Sequence, residues 1–283
     1  MTTYTAPTAG QTQNIDFDTY IELDAVNASA VKAIATRGLA AAHIKPKASK
    51  AMQTGTIVHA KILEDRRLWR LRPAGQSPYT KAGKEWKEEQ EKKGLYVLND
   101  DDAAVIEGIC ASIEETPEAA DLLDQCQHRE QTITFDWGGV TCKARLDAHG
   151  HTSNLAPLVL DLKTIDNLDN WERTYWSLGY DLQAAFYAAA YSAAFGDLPA
   201  FAFLVAEKAA PHRVGIYWQE VTPEQLAEVY ELTQQAAAAL AVHPDVLRGH
   251  LTEEKTMPTE PPLWLYEQRV KQATANADLL AYI

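Results

Sequence analysis

"PLVLDLKTIDNL", residues 157–168, carries apolar residues on both faces of a strand, the pattern of a central strand in a sheet covered on both sides. Into it the sequence inserts Asp161 and Lys163, which share a face with Val159 because side chains two apart on a strand point the same way. A buried carboxylate or ammonium costs several kcal/mol unless it is paired or holds a metal. A structural ion pair would meet that cost, and D-x-K triplets recur by chance, so the neighbouring residues decide the reading.

Immediately upstream, "EQTITFDW" and "VTCKARLDA" alternate with period two around Gly138-Gly139, which predicts a β-hairpin with a tight turn. Ile133, Phe135 and Trp137 share its apolar face with Val140, Cys142, Ala144 and Leu146. With Trp137 opposite Val140, counting outward places Glu130 opposite Asp147, and Arg145 two residues away on the same face. Arg145 is either the cross-strand partner of Glu130 or a phosphate clamp. Asp147, at the end of a strand adjacent to the D-x-K strand, can meet Asp161 and offer a divalent cation the hard oxygens that Mg²⁺ prefers.

Downstream, a long helix from about Trp171 to Phe195 sets Gln183 and Tyr187 at i and i+4, on one face. "AFAFLVAEK" and "RVGIYWQEV" alternate as two more strands, and Thr222, Pro223 and Gln225 open a helix with a capping box. Towards the N-terminus, "NASAVKAIATRG" predicts a helix capped by Asn27 or Ser29, with Gly38 as its stop. "MQTGTIVHAKILED" predicts a second helix carrying His59 on an apolar face, where a lone histidine is ordinarily a satisfied core residue. A charged helix follows, then "DDAAVIEGICASIEET", closed by Pro117. The order predicts an α/β fold with helices on both faces of a central mixed sheet. Residues 1–18, rich in Thr, Ala and Gln and without period, are expected to form a flexible arm. Residues 19–283 are expected to form one domain, ending in a helix over about 264–283.

The 283 residues, 46% hydrophobic, suffice for a packed core. No run approaches the roughly 18–20 apolar residues of a membrane span, and the N-terminus lacks a signal pattern, so a cytoplasmic protein with no membrane partner is expected. Cys110, Cys126 and Cys142 lie sixteen apart without a CxxC pair, which argues against a disulfide framework or structural zinc site. They are too few for a self-contained four-cysteine iron–sulfur cluster. The net charge of −13 speaks against a surface that coats nucleic acid at large. Yet residues 43–93 hold thirteen Lys/Arg against six Asp/Glu, a local balance of about +7, either a solvated helical face or a basic track.

The set Gly55-x-x-x-His59, Asp147 in "ARLD", Asp161-x-Lys163 and Gln183-x-x-x-Tyr187 resembles the PD-(D/E)xK nuclease superfamily in its RecB-like branch. More narrowly, "NASAVKAIA", "TGTIVHAKILE", "TKAGKEW", "CKARLDA" and "GYDLQAAFYAAA" are similar to the RecE-type, exonuclease VIII-like nucleases of prophages and phages, from about Tyr20 to the C-terminus. The superfamily often carries Glu before x-K; Asp161 keeps the oxygen ligand. The long N-terminal region of the prophage relatives is not matched. The resemblance implies an exonuclease digesting double-stranded DNA from its ends, 5′ to 3′, with Mg²⁺ (or Mn²⁺), leaving 3′ single strands for a RecT-type annealing protein. It also implies a ring-shaped homo-oligomer around DNA, whose basic channel would reconcile residues 43–93 with an acidic exterior. Asp147, Asp161, the Leu162 carbonyl and His59 would hold metal. Lys163 would position or deprotonate water and offset charge on phosphorus, Gln183 would orient Lys163 or the water, and Tyr187 would pack or hydrogen-bond beside the backbone. Glu130 would be a second-sphere or second-metal carboxylate, or the partner of Arg145. Ser29, at a helix N-terminus, would grip the 5′ phosphate. The alternatives are an endonuclease of the same fold and a catalytically silent DNA-end binding module.

Overall fold

The computed structural model describes residues 5–44 and 49–242. The chain opens with β1 (Thr8–Gln13) and helices α1 (Phe17–Glu22), α2 (Ala28–Arg37) and α3 (Lys50–Glu64). It continues through β2 (Trp69–Leu71), α4 (Lys81–Lys92), β3 (Tyr96–Leu98), α5 (Asp100–Glu115) and α6 (Pro117–Asp124). The hairpin β4 (His128–Trp137) and β5 (Val140–His151) leads to β6 (Pro157–Ile165), α7 (Trp171–Ser177) and α8 (Tyr180–Phe195). Strands β7 (Ala200–Glu207) and β8 (Val214–Gln219) and helix α9 (Pro223–Leu240) complete the described chain.

Six strands form one sheet in the order β1-β4-β5-β6-β7-β8, mixed because β6 and β7 run parallel while the other pairs are antiparallel. β2 and β3 form a separate two-stranded parallel pair. As the apolar pattern of residues 157–168 predicts, β6 is interior and covered on both sides. Leu158, Leu160 and Leu162 enter a core shared with α3, α5 and α6, whereas Val159 enters one shared with α2, α8 and α9. Trp137, Phe186, Phe201 and Phe203 anchor the second core almost without solvent contact, each contributing on the order of 1.5–3 kcal/mol by burial. The hairpin turns on Gly138 and Gly139 at φ 65 and 84, a left-handed pair that closes a two-residue turn without Cβ strain.

Several expectations are corrected. Residues 8–13 are not a free arm: they pair with β4 as an edge strand, and Asp16 caps α1. An edge strand needs no apolar alternation, which is why composition alone misreads it. The helix expected over 171–195 is broken at Leu178-Gly179, where Gly179 turns left-handed (φ 62) and α8 restarts. Pro117 begins α6 rather than merely ending α5, since its missing N–H costs nothing at a first helical position. The chain divides after Leu247, so the described residues belong to the first unit, and the helix expected over 264–283 lies outside them. Among the described residues no helix is long and apolar enough to cross a membrane.

Candidate active site

The count across the hairpin holds on both sides of the site: Gln131 pairs with Leu146, and Arg129 with Ala148. Glu130 therefore stands opposite Asp147, but with a left-handed φ of 48 that interrupts the ladder. The disturbance reaches β5, where Leu146 and Ala148, two residues apart, enter opposite cores. Such a local break re-aims side chains at a sheet's functional end. Glu130 and Asp147 are thereby directed at His59 of α3, whose Nδ1 lies 3.9 Å from Glu130 Oε1 and 3.6 Å from Asp147 Oδ2.

Two half-sites meet at β6. In the first, His59 Nε2 lies 2.6 Å from the Leu162 carbonyl oxygen; a carbonyl only accepts, so Nε2 carries the proton and Nδ1 faces the carboxylates. The Leu162 amide in turn donates to Asp147 Oδ2 at 2.8 Å. Nδ1 of His59 and one oxygen each of Glu130 and Asp147 lie within 4.8 Å of one another, a donor set of the size a divalent cation takes. A ligating histidine usually donates its other nitrogen's proton to a carbonyl or carboxylate, as here. Burial, only partly offset by the His59 charge and reinforced by Asp161, pushes the Asp147 carboxyl up to about 7. Burial would lower His59, but the carboxylates of Asp147 and Glu130 outweigh it and raise the imidazole to about 9. The imidazolium thus supplies positive charge where a metal would. Glu130 titrates below its ordinary range: His59 and Arg145 overcome its burial. Arg145 is committed to the protein, with Nε on Glu130 Oε2 at 2.7 Å and Nη1 on the Ile15 carbonyl at 2.7 Å.

In the second half-site Asp161, without solvent exposure, accepts from Lys163 Nζ on Oδ1 and from Gln183 Nε2 on Oδ2 at 2.5 Å. Lys163 also stands over the Tyr180 ring, 5.2 Å from its centroid. Burial would lower the Lys163 ammonium, but Asp161 and Asp147 outweigh it and hold it well above the usual lysine range. The break before α8 positions Tyr180 at the first residue of the new helix and Gln183 one turn on. Tyr187, half-buried a turn further, keeps its proton: burial, then Tyr20 and the negative field of Asp161, Asp147 and Glu130, raises its hydroxyl well above the ordinary value.

Gly55, His59, Leu162, Lys163, Tyr180 and Lys208 line a cleft of ≈ 470 Å³. A Cβ at Gly55 would meet only Thr164 Oγ1, at 3.6 Å, so the glycine leaves that wall of the cleft open. A wider cavity of ≈ 910 Å³ shares Met52, Asp166 and Lys208 with it.

The sequence-derived ligand set is divided by the structure. His59 and Asp147 come together as expected, Glu130 joins them directly, and Asp161 turns its oxygens to Lys163 and Gln183. Ser29 is exposed in the first turn of α2, and the cap of that helix is Asn27, whose side chain accepts from Ala30 N at 2.9 Å. Two residues escaped the sequence reading: Tyr180 and Lys32, whose Nζ donates to Gln183 Oε1 at 2.6 Å. A lysine among Val31, Ala33 and Ile34 carries no signal of its own and reads as a solvent-facing helix position.

A mixed six-stranded sheet flanked by helices, with Asp147, Asp161 and Lys163 gathered on its central strands, defines a PD-(D/E)xK nuclease fold. The family model described as "PDDEXK-like domain of unknown function (DUF3799)" matches residues 22–243, and the chain belongs to that family. Among solved structures, one described as a "Putative exonuclease" from Eubacterium rectale superposes with a TM-score of 0.54 at 15% identity, over 87% of this chain and 97% of that one. A second, named SSO0001, gives a TM-score of 0.32 at 14% identity, over 66% of this chain and 86% of that one. No curated protein matches the chain.

Proposed function

We propose that the protein is a divalent-metal-dependent deoxyribonuclease that digests linear duplex DNA from its ends, 5′ to 3′, with Mg²⁺ or Mn²⁺. The observation that carries the reading is the meeting of the two half-sites at Leu162: an ion-sized His59–Glu130–Asp147 cluster on one side and the pair of buried Asp161 and half-buried Lys163 on the other, beside an open cleft. End specificity and polarity rest on the motif resemblance to RecE-type nucleases. So do a ring-shaped homo-oligomer, a single-strand annealing partner and a role in phage recombination.

The donor set suits a hard cation. Two carboxylates and an imidazole converge within ion-sized distances of one another. His59, Glu130 and Asp147 would hold the ion, with Asp161 able to join through its remaining lone pairs. Bound there, the ion supplies Lewis-acid polarisation of the scissile phosphate and a more acidic water. The remaining work belongs to the chain. Lys163 stays an ammonium, so it donates hydrogen bonds, orienting the attacking water and offsetting charge that builds on phosphorus, rather than accepting a proton. Gln183 holds Asp161 from behind, which keeps the Lys163 ammonium aimed into the cleft. Arg145 fixes Glu130. Phosphate contacts would fall to the basic residues of 43–93, although Lys61, Arg66, Lys87 and Lys93 already sit beside carboxylates.

The test is Mg²⁺-dependent digestion of linear duplex labelled at the 5′ or the 3′ end, run beside covalently closed circles and an EDTA control. The reading expects early loss of the 5′ label, intact circles and no product in EDTA. Cut circles would assign an endonuclease, and end binding without hydrolysis would assign a silent clamp. A sizing measurement on the same sample tests the ring.

A further inference from the structure

Lys32 has no part in the chemistry proposed above, yet α2 delivers it to the second half-site. Its Nζ lies 2.6 Å from Gln183 Oε1, Gln183 Nε2 lies 2.5 Å from Asp161 Oδ2, and Asp161 Oδ1 accepts from Lys163. Lys32 and Lys163 also share the ring of Tyr180, at 5.1 and 5.2 Å from its centroid. Four polar groups thus form one chain bent around an aromatic ring. An ammonium only donates and an ionised carboxylate only accepts, so an amide between them fits in one orientation. Gln183 is 6% exposed, which leaves water little room to replace a lost partner.

We propose that Lys32 is a positioning residue whose ammonium locks the Gln183 amide with its nitrogen towards Asp161, and so fixes the Asp161–Lys163 pair that the cleft exposes. The proposal deepens the nuclease reading and rests on it for its catalytic consequence, but not for its geometry. Lys32 behaves as an interior group: burial, and then the neighbouring Lys163, lowers its pKa to about 8 against the pull of Asp161. The Tyr180 face supplies a cation–π contact that offsets part of that desolvation. Without Lys32, Gln183 Oε1 loses its donor, the amide is free to rotate, and Asp161 loses one of the two donors that set its plane.

The experiment compares Lys32→Met, Lys32→Arg, Gln183→Leu and the Lys32→Met/Gln183→Leu double variant, each first shown by thermal unfolding to be folded. In Mg²⁺-stimulated hydrolysis of linear duplex, Lys32→Met is expected to lower kcat by about 10–100-fold, the range for partners that orient functional groups, with KM little changed. Lys32→Arg, still a pure donor, is expected to recover most of the loss, and Lys32→Met is expected to add nothing in the Gln183→Leu background. A rise in KM with kcat intact would make Lys32 a substrate contact and overturn the proposal, as would multiplicative effects of the two substitutions. The Gln183 side-chain amide resonances, assigned as those missing in Gln183→Leu, should shift and exchange faster with water in Lys32→Met but not in Lys32→Arg. If the wild type hydrolyses no DNA, the nuclease reading fails and these resonances decide alone; unchanged signals in Lys32→Met would overturn the positioning role.

Discussion

Two lysines on neighbouring strands, the buried Lys143 on β5 and the half-buried Lys163 on β6, use their charge in opposite ways. Lys143, 4% exposed, donates to the carbonyls of Tyr20, Ile21 and Leu23 at 2.9, 3.0 and 2.7 Å and lies over the Tyr20 ring. All three donors are spent on the end of α1, where helix carbonyls lack partners and the dipole favours a cation. Burial lowers its pKa, only partly countered by Asp24. Lys163 instead faces a carboxylate, two rings and an open cleft, and the carboxylates raise its pKa. A buried ammonium whose donors are saturated by backbone is scaffold. One that keeps donors directed at a cleft, held charged by carboxylates, is equipped to act on something that enters.

The largest expected effect tests that division. Lys163→Met is expected to lower kcat by about 10³-fold or more, the scale of losing a charge-stabilising donor. Asp161 keeps the Gln183 amide as a donor, so the fold should survive the substitution. Full activity in folded Lys163→Met would remove that residue from the chemistry. Lys143→Met should do the reverse. The Tyr20 and Leu23 carbonyls keep the amides of Leu23 and Ala25, but the Ile21 carbonyl loses its donor and the other two lose a charged one, at a cost of about 2 kcal/mol, which for a chain of this size lowers Tm by roughly 4–8 °C, with activity per folded molecule unchanged. Urea unfolding and a specific-activity assay on the same samples decide both.

The two lysines also show how far the sequence could be read. Lys163 was legible because Asp161 stands two residues away on a strand otherwise apolar on both faces. Lys143 sits on the polar face of a hairpin and looks like any exposed strand lysine until the end of α1 covers it. The hairpin count placed Glu130 opposite Asp147 correctly because Gly138-Gly139 pins the register. It could not foresee the left-handed backbone at Glu130 that brings the carboxylate to His59, since nothing in the residue type demands it. The break before α8 was signalled by Gly179 but lay between two stretches that read together as one continuous helix. Lys32 depends wholly on how α2 packs on α8, a tertiary fact with no local trace.

A third test turns on the other half-site. In EDTA the folded protein holds Asp147 with a pKa raised from 3.8 to about 7, so it binds more protons than the unfolded chain and loses stability as pH rises across that window. His59, raised from 6.5 to about 9, contributes stability that is full below its unfolded value and lost as pH climbs through 9. Both signs agree within the cluster, whereas His149, lowered from 6.5 to about 4 by burial, contributes the opposite slope below pH 6.5, and Lys32, lowered to about 8, the opposite slope above pH 8. The cluster is therefore read by difference: metal-free wild type is expected to lose more Tm between pH 5 and 7 than Asp147→Asn does. A divalent cation binds the deprotonated ligands, so the Mg²⁺-induced rise in Tm should grow with pH. The same metal-free pH dependence of Tm in wild type and Asp147→Asn would contradict the charge arrangement of the His59–Glu130–Asp147 cluster.

The smallest effect sharpens the boundary between scaffold and site on α2, the helix that carries Lys32. Asn27 caps it, and just before the cap Val26 is tied to β5: its N–H donates to Thr141 O at 3.0 Å, and its carbonyl accepts from Lys143 N at 2.8 Å. The saturated lysine and the first turn of α2 are therefore fastened to the same strand. Asn27→Ala is expected to cost about 1 kcal/mol, the usual worth of such a cap, yet to leave kcat within a few-fold because the Val26 tether still places Lys32. Ser29→Ala, at an exposed first-turn position without the cap, should change stability by less than about 0.5 kcal/mol. Its activity is the informative number. No change on 5′-phosphorylated ends would leave α2 a purely positioning element. A loss confined to phosphorylated over hydroxyl ends would restore to Ser29 the phosphate-gripping role that the motif resemblance implies, and would move the edge of the site one turn up the helix.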